Sequence, residues 1–126
     1  MLHFQASGRC IHQDFLSAEW GVFVRYVEVA EDQFANRQVE VFRNGNVLRY
    51  DREHWADDFG MLLGRRFSRQ PKWRCDFPGA RMLSAAEFEK VWNAAKNSKL
   101  WDQQLDRSRA VQWGDRPHWL NHRQIS

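Results

Sequence analysis

The chain has 126 residues, of which 43% are hydrophobic and 28% charged, and its formal net charge is +3. This balance is typical of a globular protein and excludes an intrinsically disordered chain, and the length fits a single domain with one hydrophobic core. No apolar run approaches the roughly 20 residues that a transmembrane helix needs, and the N-terminus does not resemble a signal peptide. Because the two cysteines, Cys10 and Cys75, are too few for a disulfide framework, we expect a cytoplasmic protein with reduced thiols.

Charge and tryptophan are unevenly distributed. Residues 1–60 hold ten acidic and six basic side chains, whereas residues 61–126 hold six acidic and thirteen basic ones. This asymmetry indicates either a charged partner or neutralisation of one half by the other, and the sequence leaves both open. Seven tryptophans are many for one small domain. We expect a few of them at the surface, because Trp is enriched among interface hot spots.

The first clear strand pattern lies in residues 21–30. Residues 1–19 are ambiguous, although Leu2 and Phe4 are compatible with a short strand that ends at Gly8. In residues 21–30, apolar side chains fall on both faces of the alternating pattern. This predicts a central strand of a sheet that is covered on both sides.

Residues 37–51 contain the strongest local signal of the chain. Two runs rich in β-forming residues are separated by Asn44 and Gly45. Asn-Gly between such runs predicts a β-hairpin with a type I′ turn, in which both central residues have positive φ. Strands at about 21–30, 37–43 and 46–51 then form an antiparallel β-meander of three or more strands.

Residues 52–73 are the least regular part of the chain. A helical turn is compatible with residues 55–63, and Pro71, Pro78 and Gly79 favour extended or looped backbone over residues 68–82. A long irregular segment in a small domain is often the functional one.

Residues 84–97 are predicted to form the main helix. Ser84 and Glu87 have the spacing of a capping box. Phe88, Val91, Trp92 and Ala95 recur at helical spacing and form one apolar stripe. We therefore predict an α+β fold in which an antiparallel β-meander is covered on one face by a C-terminal amphipathic helix. The chain is a single domain, residues 1–126, with a core of about 21–97 and a Trp-rich basic C-terminal extension, 98–126, that wraps back over the sheet.

Motifs of enzymes and metal sites are weak in this sequence. It contains no nucleophile elbow, P-loop or dinucleotide-binding glycine motif. His118 and His122 have the spacing of two ligands on a helix but lack the glutamate of a zincin, and Cys10, His12 and Cys75 would form a zinc site only if the fold happened to bring them together. We predict neither a metal nor a cofactor.

An acidic cluster and a basic stretch remain as candidate sites. Glu53, His54, Asp57 and Asp58 could act as an acid–base group or hold a cation, or they could be ordinary surface charge. Since no other catalytic role can be filled, we expect a protein that is not an enzyme. Residues 65–74 interleave arginine and lysine with Phe67 and Trp73, which suits nucleic acid, an acidic protein surface, or a plain solvated loop.

Two segments, VEVFRNGNVLRYD at residues 39–51 and LSAAEFEKVWNAA at 83–95, resemble a small uncharacterised bacterial domain family. Its members combine such a hairpin with an M-L-G-like loop, here at residues 61–64, and an S-x-x-E-F-E-x-x-W helix. The resemblance covers about residues 21–97, and no catalytic residue comes with these motifs. Domains of this kind occur among immunity proteins of polymorphic and contact-dependent growth inhibition toxins. The resemblance therefore implies a cytoplasmic inhibitor that binds a cognate toxin domain and blocks its active or binding surface.

The chain departs from this resemblance in charge, because inhibitors of nucleases are usually acidic and its pI is about 9.2. A basic inhibitor suits an acidic toxin surface, or binds through its acidic half alone. The predicted partner-binding residues lie in the irregular segment: Asp57, Asp58, Arg65, Arg66, Arg69 and Trp73. The alternative function is a nucleic-acid-binding module that uses residues 65–74.

Overall fold

The structure is a computed structural model that describes residues 1–10, 15–64, 66–67 and 79–96. One antiparallel sheet has the strand order β4-β3-β2-β1-β5. The strands are β1 (Leu2–Arg9), β2 (Val22–Val29), β3 (Ala35–Phe42), β4 (Val47–Asp51) and β5 (Arg81–Met82). Helix α1 (Ala85–Ala95) packs on one face, which confirms the predicted α+β meander with a C-terminal helix. No helix in the described part of the chain is long and apolar enough to cross a membrane.

Strand β2 is the central strand of the sheet, as its apolar pattern predicted. Phe23 and Val27 point to one face and pack in the larger core, whereas Tyr26 packs beside the helix on the other face. Strand β1 pairs with β2 over its full length, and β5 lies on its other side. The sheet therefore includes residues that precede the predicted core of about 21–97.

The β3–β4 hairpin is confirmed, but its turn differs from the predicted type I′. The Phe42 amide donates to the Asn46 carbonyl at 2.9 Å, and the Gly45 amide donates to the Phe42 carbonyl at 3.0 Å. Within this turn only Gly45 has positive φ, at +94°. The geometry is a type I turn closed by a glycine bulge. Asn44 contributes through its side chain, whose oxygen accepts the Asn46 amide at 3.0 Å.

The helical turn predicted within residues 55–63 is wrong. Ala56 and Met61 form an isolated antiparallel bridge, and the Leu62 amide donates to the Trp55 carbonyl at 2.7 Å. The segment thus folds back on itself as a tight loop. The physical reason is the side chain of Asp57, which binds nearby backbone amides that a helix would need for its own hydrogen bonds.

Helix α1 begins with the predicted capping box at Ser84 and Glu87, and its stripe is confirmed, with Phe88, Trp92 and Ala95 buried. The helix contacts four strands, β1 to β4. Its 11 residues span about 16 Å, close to the roughly 14 Å across four neighbouring strands. The helix therefore lies across the strands.

A buried ion pair fixes the helix on the sheet. Glu28 accepts hydrogen bonds from Arg37 at 2.7 and 2.8 Å and from Asn36 at 2.7 Å, and His3 Nε2 lies 2.9 Å from it. Arg37 also binds Glu89 on the helix. The Arg37 guanidinium lies over two rings of the helix, each at 5.1 Å, namely those of Phe88 and Trp92. Burial alone would raise the pKa of Glu28, but these hydrogen bonds outweigh it and lower the pKa to about 2.

We predict that Glu28 contributes stability that disappears in acid. Because its pKa is lowered from 4.5 to about 2, the contribution is complete above pH 4.5 and is lost as the pH falls towards 2. Its size is on the order of 3 kcal/mol. Urea unfolding of the wild type and of Glu28→Gln should show a gap at pH 7 that closes between these pH values. The exposed Glu31→Gln is the control, and a gap that does not depend on pH would contradict the assignment.

Candidate functional site

The face of the sheet opposite helix α1 is covered by irregular segments, residues 15–20, 52–64 and 66–67, which we call the loop layer. Its only helix among the described residues is a 3₁₀ turn, Ala18–Trp20. The main hydrophobic core lies between the sheet and this layer. The side chains that the loop layer buries in this core include Trp55, Ala56, Phe59, Leu62 and Phe67. The segment that was predicted to carry function therefore also closes the core.

Asp57 is the first polar anchor of the loop layer, and its side chain has no exposed surface. One carboxylate oxygen accepts the Tyr50 hydroxyl at 2.9 Å and the amides of Phe59 and Gly60 at 2.7 and 3.1 Å. The other oxygen lies 2.9 Å from His54 Nε2. Since Tyr50 belongs to β4, these bonds tie the loop to the sheet and compensate the cost of burying a carboxylate.

Gln38 on β3 is the second polar anchor, and it is also fully buried. Its side-chain NH₂ group donates to the Met61 carbonyl at 3.0 Å, and its oxygen accepts the Leu63 amide at 2.9 Å. Both ends of the side-chain amide are therefore bound to the backbone of the loop. This arrangement fixes residues 61–63 in register with the sheet.

Gly60 allows the loop to approach the sheet closely. A Cβ atom at this position would lie 3.0 Å from the Tyr50 hydroxyl and 3.6 Å from Glu40 Oε1. Glu40 is buried beneath the loop, where Arg25 binds it at 2.7 and 2.9 Å. Burial raises the pKa of Glu40, and the guanidinium of Arg25 only partly opposes this effect.

The two parts of the loop layer are joined to each other. The Leu16 amide donates to the Asp58 carbonyl at 2.9 Å, and the Ser17 hydroxyl donates to the Phe59 carbonyl. Leu16 nevertheless leaves 50% of its surface exposed. An exposed apolar side chain therefore lies next to Asp58 on the outer surface. Sequence reasoning did not find Leu16, because a single leucine in an aperiodic segment gives no pattern.

The predicted site residues occupy different environments. Asp58 is half-buried, and Arg66 is exposed with its guanidinium 5.4 Å from the centre of the Phe34 ring. Asp57 has no surface to offer a partner, so a direct contact by its side chain does not fit this geometry. His54 Nε2 lies 2.9 Å from the Asp57 carboxylate, so the structure brings together two residues of the predicted acidic cluster. Arg65, Arg69 and Trp73 lie outside the described residues.

Metal-ligating side chains do not converge in the part of the chain that the structure describes, where no group of three His, Cys, Asp or Glu residues could hold an ion. The other residues considered for zinc lie outside that part, namely His12, Cys75, His118 and His122. The C-terminal extension, 98–126, lies outside it as well.

Comparisons with known proteins give no match: no protein-family model matches the chain, and neither a curated protein nor a solved structure does. What the loop layer does must therefore be argued from its geometry.

We predict that Asp57→Ala destabilises the protein by about 2–4 kcal/mol, because the Tyr50 hydroxyl and the amides of Phe59 and Gly60 lose their buried acceptor. Glu53→Gln, an exposed change in the same loop, should alter stability by less than about 0.5 kcal/mol. Urea unfolding at neutral pH measures both variants. Equal stability of the two would show that the Asp57 hydrogen bonds do not hold the loop.

Proposed function

We propose that the protein is a non-catalytic immunity protein, which binds a cognate bacterial toxin domain through the loop layer and blocks the active or binding surface of that domain. One observation carries the proposal. The loop layer has almost no regular secondary structure, yet two buried side chains, Asp57 and Gln38, fix it on the sheet. A surface that is ordered before association loses little conformational entropy on binding.

The outer chemistry of the loop layer supports a protein partner. Leu16 supplies an exposed apolar contact, and Asp58 and Arg66 supply charges of both signs. Protein interfaces combine an apolar centre with charged residues that set orientation and specificity. The polar anchor Asp57 then acts on binding indirectly, since it positions the backbone of Asp58, Phe59 and Gly60.

The class of partner is inferred from the family resemblance. The two segments that resemble the immunity family form the β3–β4 hairpin and the capped helix α1. These elements are the scaffold, and the partner surface lies on the loops that the scaffold supports. Members of one such family can therefore share the scaffold while their loops recognise different toxins, and we infer a cytoplasmic location from the same resemblance.

The alternative, nucleic-acid binding by residues 65–74, is less well supported. Of this stretch the structure describes Arg66 and Phe67. Phe67 has only 4% of its surface exposed, because it packs in the core, where its ring centroid lies 5.7 Å from that of Phe4. Its ring is therefore not available to stack on a base. Of these two described residues, Arg66 is exposed and could contact a phosphate.

A co-expression experiment tests the immunity function. The toxin domain encoded immediately upstream should arrest growth when expressed alone, and co-expression of this protein should restore growth and yield a complex on size exclusion. Failure of both readouts would end the proposal. RNA that remains bound at physiological salt and dissociates with a steep dependence on salt concentration would favour the alternative function.

A pair of matched variants tests the position of the surface. Leu16→Glu should weaken the toxin complex by at least tenfold, because it places a charge in the apolar centre of the interface. Ala86→Glu changes an exposed side chain on helix α1, on the opposite face of the sheet, and should leave affinity unchanged. Isothermal titration calorimetry measures both. Unchanged affinity in the Leu16 variant, or loss of affinity only in the Ala86 variant, would place the interface elsewhere.

A further inference from the structure

A second buried acidic side chain lies beneath the loop layer, close to Asp57. Glu40, on β3, has only 4% of its surface exposed. A Cβ atom at Gly60 would lie 3.6 Å from Glu40 Oε1 and 3.0 Å from the Tyr50 hydroxyl, so both side chains face the same point of the loop backbone. The Tyr50 hydroxyl in turn donates to Asp57 at 2.9 Å. The fold therefore brings two acidic side chains together under one turn of the loop.

The two acidic side chains differ in how their negative charges are compensated. Asp57 accepts three hydrogen bonds through one oxygen, and its other oxygen lies beside His54. Glu40 is bound by Arg25, whose two nitrogens, at 2.7 and 2.9 Å, reach the same oxygen, Oε2. Among the described residues, no group donates a hydrogen bond to Oε1, the oxygen that faces the loop. Asp57 is thus stabilised as an anion through both oxygens, whereas Glu40 is stabilised through one.

The charged and titratable groups that face Glu40 or its neighbour Asp57 come from three elements: Arg25 from β2, Tyr50 from β4, and His54 from the loop. Burial opposes ionisation of Glu40 most strongly, Arg25 favours it, and the negative charge of Asp57 adds to the opposition. The pKa of Glu40 is therefore raised above its ordinary value of 4.5. Opening the loop would return Glu40 to water and separate it from Asp57. Ionisation of Glu40 consequently favours an open loop, and protonation favours a closed one.

We propose that Glu40 acts as a pH-sensitive switch of the loop layer, which stabilises the closed loop when its carboxyl group is protonated and destabilises it when that group is ionised. The protonated group adds no charge beside Asp57, and its Oε2 can still accept from Arg25. When Glu40 is ionised, two carboxylates lie together beneath Gly60, and an open loop relieves their repulsion. Opening should also weaken partner binding. That consequence rests on the proposed function, whereas the switch itself is tested on the protein alone.

The direction of the pH effect separates Glu40 from Glu28. The stabilisation by protonated Glu40 is complete below pH 4.5 and is lost as the pH rises through its raised pKa. The contribution of Glu28 is lost in the opposite direction, as the pH falls below 4.5. A loss of loop stability above pH 4.5 therefore does not come from Glu28. His54 is another group beneath this loop that can release a proton, so variants must distinguish it from Glu40.

Two NMR measurements on the full chain test the switch. The ¹³C signal of the Glu40 side-chain carboxyl is followed with pH, and its midpoint should lie above 4.5. Amide hydrogen exchange then gives the protection factors of Phe59 and Gly60 between pH 4.5 and about pH 8. These should fall as the pH rises, by at most about tenfold per pH unit, the limit for release of one proton. The Trp92 amide, in α1 on the other face of the sheet, should not follow them.

Matched variants assign the effect to Glu40. Glu40→Gln keeps an oxygen for Arg25 but cannot ionise, so its loop protection should not depend on pH in this range. Glu53→Gln, an exposed change in the same loop, should retain the wild-type dependence. A carboxyl midpoint at or below 4.5, constant protection in the wild type, a dependence that persists in Glu40→Gln, or an equal loss at Trp92 would overturn the proposal. The wild-type measurements decide even if Glu40→Gln does not fold.

Discussion

The carboxylate of Asp57 lies inside the protein, where an ionised group is stable only if hydrogen bonds replace the water that it has lost. Its partners come from β4, from the loop backbone and from His54, and the conformation of the loop brings them together around this one side chain. Satisfying this charge therefore fixes the loop against the sheet. Once the loop is fixed, Trp55, Phe59 and Leu62 can close the core.

The two faces of the sheet are covered in physically different ways. On one face, helix α1 satisfies its own backbone and needs only an apolar stripe and the ion pair of Glu28 with Arg37. On the other face, the loop layer has isolated backbone hydrogen bonds, such as Leu62 to Trp55, and the buried side chains of Asp57 and Gln38 bind further backbone groups. Ordering an irregular backbone costs more free energy than ordering a helix. Its outward side chains, however, need not follow the 3.6-residue spacing of a helix. This freedom is what a surface of specific shape requires.

Local patterns predicted the elements whose cause is local. Each of these signals depends only on a few neighbouring residues: the alternation in β2, the two strands of the hairpin and the capping box at Ser84. The turn type escaped prediction, because Asn-Gly suits both a type I′ turn and a type I turn with a glycine bulge. The type I′ turn would have Asn44 and Gly45 as its central residues, whereas the observed turn has Arg43 and Asn44, and the pairing of the whole hairpin decides between them.

The anchors of the loop layer escaped prediction for a different reason. Gln38 binds backbone groups 23 and 25 residues away, and nothing in either segment indicates the other. Asp57 was noticed as an acidic residue, yet its burial depends on Tyr50 and on two amides that follow it. The sequence favoured a surface position for Asp57, because most carboxylates in proteins are exposed. Leu16 became recognisable only when its amide was seen bound to Asp58.

Amide hydrogen exchange provides the most direct measurement of whether the loop layer is a fixed surface. The informative amides are those of Phe59 and Gly60, which bind Asp57, and of Leu63, which binds Gln38. If buried side chains hold the loop, these amides exchange as slowly as those in the centre of β3, and Asp57→Ala accelerates the first two. Exchange at the rate of an unstructured loop in the wild type would contradict the existence of a fixed surface.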